Sequence, residues 1–288
     1  MNSNSLSSHK NQEPESSVLY IVGTPIGNLN DISLRALNIF KKVSFIACED
    51  TRLTRKIMSK FKFKNNLISF NTHNASRKIP RIISDLNSGK SIALVSDAGM
   101  PSICDPGEDL IKEARLNNIN IICVPGPCAA ITALASSGFP SSKFIFEGFL
   151  PKKKSEREKV ILEISKNDKT TILFEAPHRL KKLLIDLKEI CGGEREILIF
   201  RELTKKFEEH IGDNIEQVIT HFDGRDVIGE FTLVIKGINI SKKNDNCNKL
   251  ELKKELYDLT KAGLTLSAAS KYLAKKNNLK KSIIYDMY

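Results

Sequence analysis

Three short stretches carry side chains able to do chemistry. "CEDTR" (48–52) sets Glu49, Asp50 and Arg52 together behind an apolar run, a pattern suited to proton transfer or to orienting a ligand by charge. "FEAPHR" (174–179) groups Glu175, His178 and Arg179, and "RELTKKFEE" (201–209) places Lys205 just after the apolar "ILIF". Each has a plainer account: helix capping by Asp50 or Thr51 with a salt bridge to Arg52, a structural histidine, and a Lys205 that faces water. A fourth stretch, "VSDAGMPSICDPG" (95–107), holds two prolines and two glycines. It cannot be a helix, and it reads as a shaped loop that lets backbone approach a ligand closely.

The elements that must position these residues follow from hydrophobic pattern. Apolar, β-rich runs at Val18–Val22, Val43–Ala47, Leu67–Phe70, Ile92–Val95 and Ile119–Val124 alternate with helical patterns such as "SLRALNIFKK" and "GEDLIKEARLNN". That alternation predicts a parallel sheet flanked by helices. The loops "GTPIGNLND", "CEDTRLTR", "SDAGMPSICDPG" and "PGPCAA" then all fall at the carboxyl ends of strands, where α/β sheets bind ligands. A second, mixed α/β segment begins near Ala135, with strands in "KFIFEGFL", "TTILFEA", "EILIFREL" and "GEFTLVIKGI" around the helix "HRLKKLLIDLKEI".

Several chemistries are excluded. "GTPIGN" is neither a Walker A loop nor a dinucleotide fingerprint, and no GxSxG elbow is present. The six cysteines form no CxxC pair and share no zinc spacing with the five histidines. No metal, disulfide framework or secretory leader is expected, which suits a reduced, cytoplasmic setting. Cys123 and Cys128 read as small hydrophobes.

Charge points to a polyanionic partner. The chain has 288 residues and a net charge of +11, and its lysines crowd into residues 241–288, eleven against five acids. There "NISKKNDNCNK" (239–249) reads as a linker, followed by three basic helical patterns with Ser267 and Ser282 as N-caps and Gly263 as a C′ residue. With no tryptophan and 7% aromatic residues, phosphate and shape contacts are expected rather than base stacking. The predicted domains are a disordered tail (1–17), an N-terminal α/β domain (18–134), a C-terminal mixed α/β domain (135–240), and a linker with a helix-turn-helix-like appendage (241–288).

Taken in order, "LYIVGTPIGNLNDISLRALNIFKKVSFIACEDTRLTRK", "LVSDAGMPSICDPG", "VPGPCAAITALASSGFPSSKFIFEGFLP", "FEAPHRL" and "RELTKKFEE" resemble the bacterial small-subunit ribosomal RNA 2′-O-methyltransferases of the tetrapyrrole-methylase superfamily. The resemblance implies two α/β domains of the class III methyltransferase type with a donor cleft between them, S-adenosylmethionine as donor, and a homodimer. It also implies that the acceptor is a cytidine ribose of the decoding region of 16S rRNA, as free RNA or 30S subunit. By the same resemblance, donor contacts come from Ile26 and Gly27, from Asp97, Ala98, Gly99, Met100, Pro101 and Ser102, and from Cys128 and Ala129. Across the cleft they come from Phe174, Glu175 and Ala176, from Glu202 and Leu203, and from Glu230 and Phe231. Met100 and Cys104 depart from the family pattern. From loop position, Glu49 or Asp50 is expected as base or orienting group, with Arg52 and Lys205 holding phosphate or the ribose oxygen. A small-molecule methyltransferase or a non-catalytic RNA binder of the same fold would be separated from this reading by donor binding and acceptor testing.

Overall fold

The computed structural model describes residues 13–239, 252–277 and 279–288. The chain enters β1 (Val18–Val22), makes a 3-10 turn at Leu29–Asp31, and runs through α1 (Leu34–Lys42), β2 (Phe45–Cys48), α2 (Thr51–Lys60) and β3 (Leu67–Ser69). It continues through α3 (Ala75–Asn87), β4 (Ile92–Val95), α4 (Glu108–Leu116) and β5 (Asn120–Val124). These five strands form a parallel sheet in the order β3-β2-β4-β1-β5.

Helices on both faces explain why the inner strands read as unbroken apolar runs. On β1, Val18, Tyr20 and Val22 pack with α1 and α2, whereas Leu19 and Ile21 pack with α3 and α4. The edge strand β5 leaves Cys123 exposed, so that cysteine is not the buried small hydrophobe the sequence suggested. Helix starts are fixed locally: Ser33 Oγ accepts from Ala36 N at 3.0 Å, and Asp50 caps α2. "CEDTRLTR" is consequently helix from Thr51 onward rather than loop, with Thr54 and Ile57 buried.

The second sheet comprises β6 (Phe144–Phe149), β7 (Thr170–Glu175), β8 (Glu196–Arg201), β9 (Glu209–Asn214) and β10 (Phe231–Ile235), ordered β6-β7-β10-β8-β9. Only the β6–β7 pair is parallel. One face is covered by α6 (Lys154–Lys166), α7 (Pro177–Cys191) and α8 (Ile215–Phe222). The other receives α5 (Ala129–Ser137), whose Ala130, Ala133 and Leu134 pack with Ile172, Phe200 and Val234. The expected boundary at 134/135 thus falls inside a helix that starts from the first sheet and covers the second.

Two termini differ from expectation in detail. Residues 1–12 lie outside the described residues, but Glu13 pairs with Arg35 and Glu15 N donates to Tyr20 Oη at 2.9 Å. Nearly all of the expected linker also lies outside them. Beyond it, residues 252–261 form α9, followed by α10 (Leu266–Lys276) and α11 (Lys281–Tyr285). These three share a core of Leu252, Leu256, Ala269, Leu273 and Ile284. α9 closes with Gly263 at φ +98°, its N–H donating to Thr260 O, while Leu264 N donates to Leu259 O, the Schellman pattern. Thr265 caps α10 and Lys280 precedes α11. Ser267 already lies inside α10, where its Oγ accepts from Lys281 Nζ at 2.7 Å, and Ser282 lies inside α11.

Candidate active site

Two glycine-bearing loops of the first domain are locked together before they meet the second. Gly23 and Gly126 pack backbone to backbone, and a Cβ on Gly23 would lie 2.6 Å from Gly126 Cα. Thr24 N donates to Gly99 O at 2.9 Å and Gly99 N returns a bond to Thr24 O at 3.1 Å. Gly27 then passes over the second domain so closely that a Cβ would meet Lys205 Cγ at 2.5 Å. The next residue, Asn28, donates its N–H to Thr204 Oγ1 at 3.0 Å.

Backbone strain concentrates here. Ser102 and Cys104 in one loop and Glu202 and Thr204 in the facing one have positive φ, each costing about 1–3 kcal/mol unless its surroundings enforce it. Enforcement is visible at Glu202, whose N–H donates to Glu230 O at 2.9 Å while its Oε1 accepts from Glu230 N at 2.9 Å. Lys205 Nζ pairs with both Glu202 and Glu230 at 3.0 Å. Burial opposes the Lys205 charge, but those two pairings outweigh it and raise its pKa.

Between the domains lies a cavity of about 390 Å³, within the range of small-molecule sites. Of the implied donor residues, Ile26, Ala98, Gly99, Met100, Cys128, Ala129, Phe174, Glu175, Ala176, Leu203, Glu230 and Phe231 line it. Gly27, Asp97, Pro101, Ser102 and Glu202 do not; of these, Asp97 accepts from Asp50 N at 2.8 Å and Glu202 braces the lining residue Glu230 by accepting from its N–H. Sequence reasoning missed Asp105, Phe149, Phe200 and Thr232, which also line the cavity. Asp105 was legible as the acid of "CDPG"; the others are members of strands that look like core until the domains are placed together.

The wall is acidic. Asp105, Glu175 and Glu230 line it, and among the described residues no lysine, arginine or histidine does. Glu175 is 2% exposed, with Oε1 accepting from Ala176 N at 2.8 Å and facing Arg179 Nε at 3.2 Å. Its Oε2 is buried without a hydrogen-bond partner among the described residues. Burial raises the pKa of both Glu175 and Asp105, Arg179 opposing at the former and the charge of Asp97 adding at the latter. An unpartnered carboxylate oxygen in an acidic, aromatic-walled cavity fits a cationic ligand with hydrogen-bond donors.

The four residues proposed for chemistry are not brought together. Glu49, Asp50 and Arg52 stand at the start of α2, on the rim of a separate polar recess of about 400 Å³ that also includes Asn71 and His73. Lys205 lies on the other domain. Asp50 is committed as a cap: its Oδ1 accepts from Arg52 N at 2.8 Å, and its Oδ2 meets Arg52 Nη2 at 2.6 Å. These bonds hold its pKa down to about 2, unsuited to taking a proton. Glu49 is pushed the other way, first by burial and then by the charges of Asp97 and Asp105. Glu49 therefore couples electrostatically to an acid of the donor cavity while itself facing the second recess. No cluster of three or more candidate ligands is placed to hold a metal ion among the described residues.

The tetrapyrrole (corrin/porphyrin) methylase family model matches residues 18–219. Proteins named ribosomal RNA small subunit methyltransferase I are similar over most of the chain. That of Vibrio cholerae is 42% identical over 270 residues, 93% of each chain, and that of Bacillus subtilis is 40% identical over 96% of each. The Thermotoga maritima protein is 45% identical over 219 residues, 76% of this chain and 98% of that one. Among solved structures, cobalt precorrin-4 methyltransferase superposes with a TM-score of 0.59 at 14% identity, over 76% of this chain and 95% of that one. Uroporphyrin-III-C-methyltransferase from Thermus thermophilus gives 0.52 at 19%, over 76% and 94%; at such identities the likeness is one of fold. With the family model matching residues 18–219 and relatives near 40% identity matched along almost their whole length, the chain belongs to the tetrapyrrole methylase family, in the branch of the small-subunit ribosomal RNA methyltransferases I.

Proposed function

We infer that the protein is an S-adenosylmethionine-dependent 2′-O-methyltransferase of a cytidine in 16S rRNA. The observation that carries the donor assignment is the acidic cavity with the orphaned Glu175 Oε2: a nucleotide cofactor with several phosphates would be repelled there, whereas a sulfonium with an ammonium group is attracted. Bound there, S-adenosylmethionine supplies a methyl group activated by positively charged sulfur. Ile26, Gly99 and Ala129 present backbone and small side chains to it, Phe174 and Leu203 exclude water, and Glu175 accepts from its donor groups. Lys205 acts as a clamp, tying the Glu202 and Glu230 segments to the path that Gly27 leaves open.

On the acceptor side, Glu49 takes the proton of the ribose hydroxyl at its carboxylate. Its raised pKa makes it a stronger base than an ordinary carboxylate, and such a base contributes about 10²–10⁴-fold. Asp50 orients Arg52, whose guanidinium is exposed and placed to meet a phosphate. On this reading, which follows the family resemblance, the protein works as a homodimer in the cytoplasm.

The test is transfer of labelled methyl from S-adenosylmethionine to 30S subunits from a strain lacking this modification, followed by nucleoside analysis. A 2′-O-methylated cytidine is expected. Donor binding without incorporation into the subunit would overturn the acceptor assignment, and absence of donor binding would overturn the whole reading.

A further inference from the structure

The aromatic residues of this chain are few but unevenly placed. Of five tyrosines, only Tyr20 belongs to the α/β body, where it is fully buried. The other four lie on the helical appendage and are all exposed: Tyr257 50%, Tyr272 55%, Tyr285 46% and Tyr288 65%. The core of the appendage is filled by leucine, alanine and isoleucine, so these rings are not needed to close it.

Their neighbours are cationic. Lys261, one turn after Tyr257, holds its Nζ 4.9 Å from the ring centroid. Tyr272 has Lys276 at the same four-residue spacing, with that lysine's ammonium paired to Glu255. Tyr285 and Tyr288 are three apart. Residues 252–288 carry eight lysines against three acids. Exposed rings beside ammonium groups are what single-stranded nucleic acid requires, the ring for a base face and the ammonium for its phosphate.

We propose that the appendage binds an unpaired stretch of the RNA substrate by stacking bases on its exposed rings, Tyr257, Tyr272, Tyr285 and Tyr288, with lysines of the appendage on the phosphates. This rests on the RNA-substrate reading above and replaces the phosphate-only contact expected from overall aromatic content. It assigns the appendage to affinity rather than chemistry.

The chain has no tryptophan, so its ultraviolet emission is that of tyrosine, which stacking on a base quenches. The full-length protein is titrated with unstructured oligocytidylate, and steady-state methylation of 30S subunits is measured in parallel. Saturable quenching is expected. Tyr257→Leu and Tyr272→Leu should each weaken oligonucleotide binding about tenfold, with KM for subunits raised, kcat kept and the thermal midpoint unchanged. Tyr257→Phe and Tyr272→Phe should restore affinity, because the ring does the stacking. Absence of quenching, or leucine variants that bind like the parent, would overturn the proposal. So would emission that responds to phosphatidylglycerol vesicles and not to RNA, which would make the surface a membrane one. Quenching is read without turnover, so failed methylation refutes the catalytic reading and failed quenching refutes the stacking.

Discussion

At the scale of single residues, the two adjacent acids of "CEDTR" are separated by their surroundings. Asp50, tied to Arg52, is ionised well below neutrality; Glu49, half-buried near Asp97 and Asp105, holds its proton longer. Glu49→Gln should lower kcat about 10²–10⁴-fold with donor affinity unchanged in calorimetry. The same change should raise the thermal midpoint. A carboxyl with a raised folded pKa is cost-free below its unfolded value and destabilises fully above its folded one, so the gain grows as pH rises through that window. The parent's rate should fall as pH drops through the raised Glu49 pKa. In the donor cavity, Asp105 and Glu175 are also raised. A cationic donor binds their ionised forms, so affinity should rise with pH across that range, with proton release detectable in buffers of different ionisation enthalpy. The types and spacing of these residues were legible in sequence; their division of labour was not, because it depends on Asp97 and Asp105, which arrive from a different loop.

At the scale of elements, what joins the two domains is α5 and the Gly27 loop. Ala133 is fully buried where α5 meets β10 and β7. Ala133→Leu should cost about 1–3 kcal/mol and weaken donor binding by spreading the cleft, read as a lower thermal midpoint and a raised donor Kd. Gly27→Ala, with its Cβ facing Lys205, should weaken donor binding with a smaller loss of stability. The first sheet was readable from its apolar runs almost strand for strand, since strands buried on both faces carry a strong signal. β9 was not: "EHIGDN" is an edge strand with only Ile211 buried, and its pairing with β8 decides its conformation. The contact of α5 was likewise invisible, as its alanines would suit any packed helix.

At the scale of the whole molecule, charge is divided between an acidic cavity and a basic appendage. Deleting residues 241–288 should weaken binding to 30S subunits and reduce the slope of log affinity against log salt, since fewer counterions are released, while donor affinity stays at the parent value. The net charge of +11 pointed towards a polyanionic partner; only the fold showed that Asp105, Glu175 and Glu230 converge from loops and strands of two domains. That convergence sorts ligands by sign. A phosphate offered to the cavity meets like charge, whereas a sulfonium does not. The cavity should therefore behave as a charge filter, keeping the backbone of a polyanion out of the pocket in which its methyl donor is held.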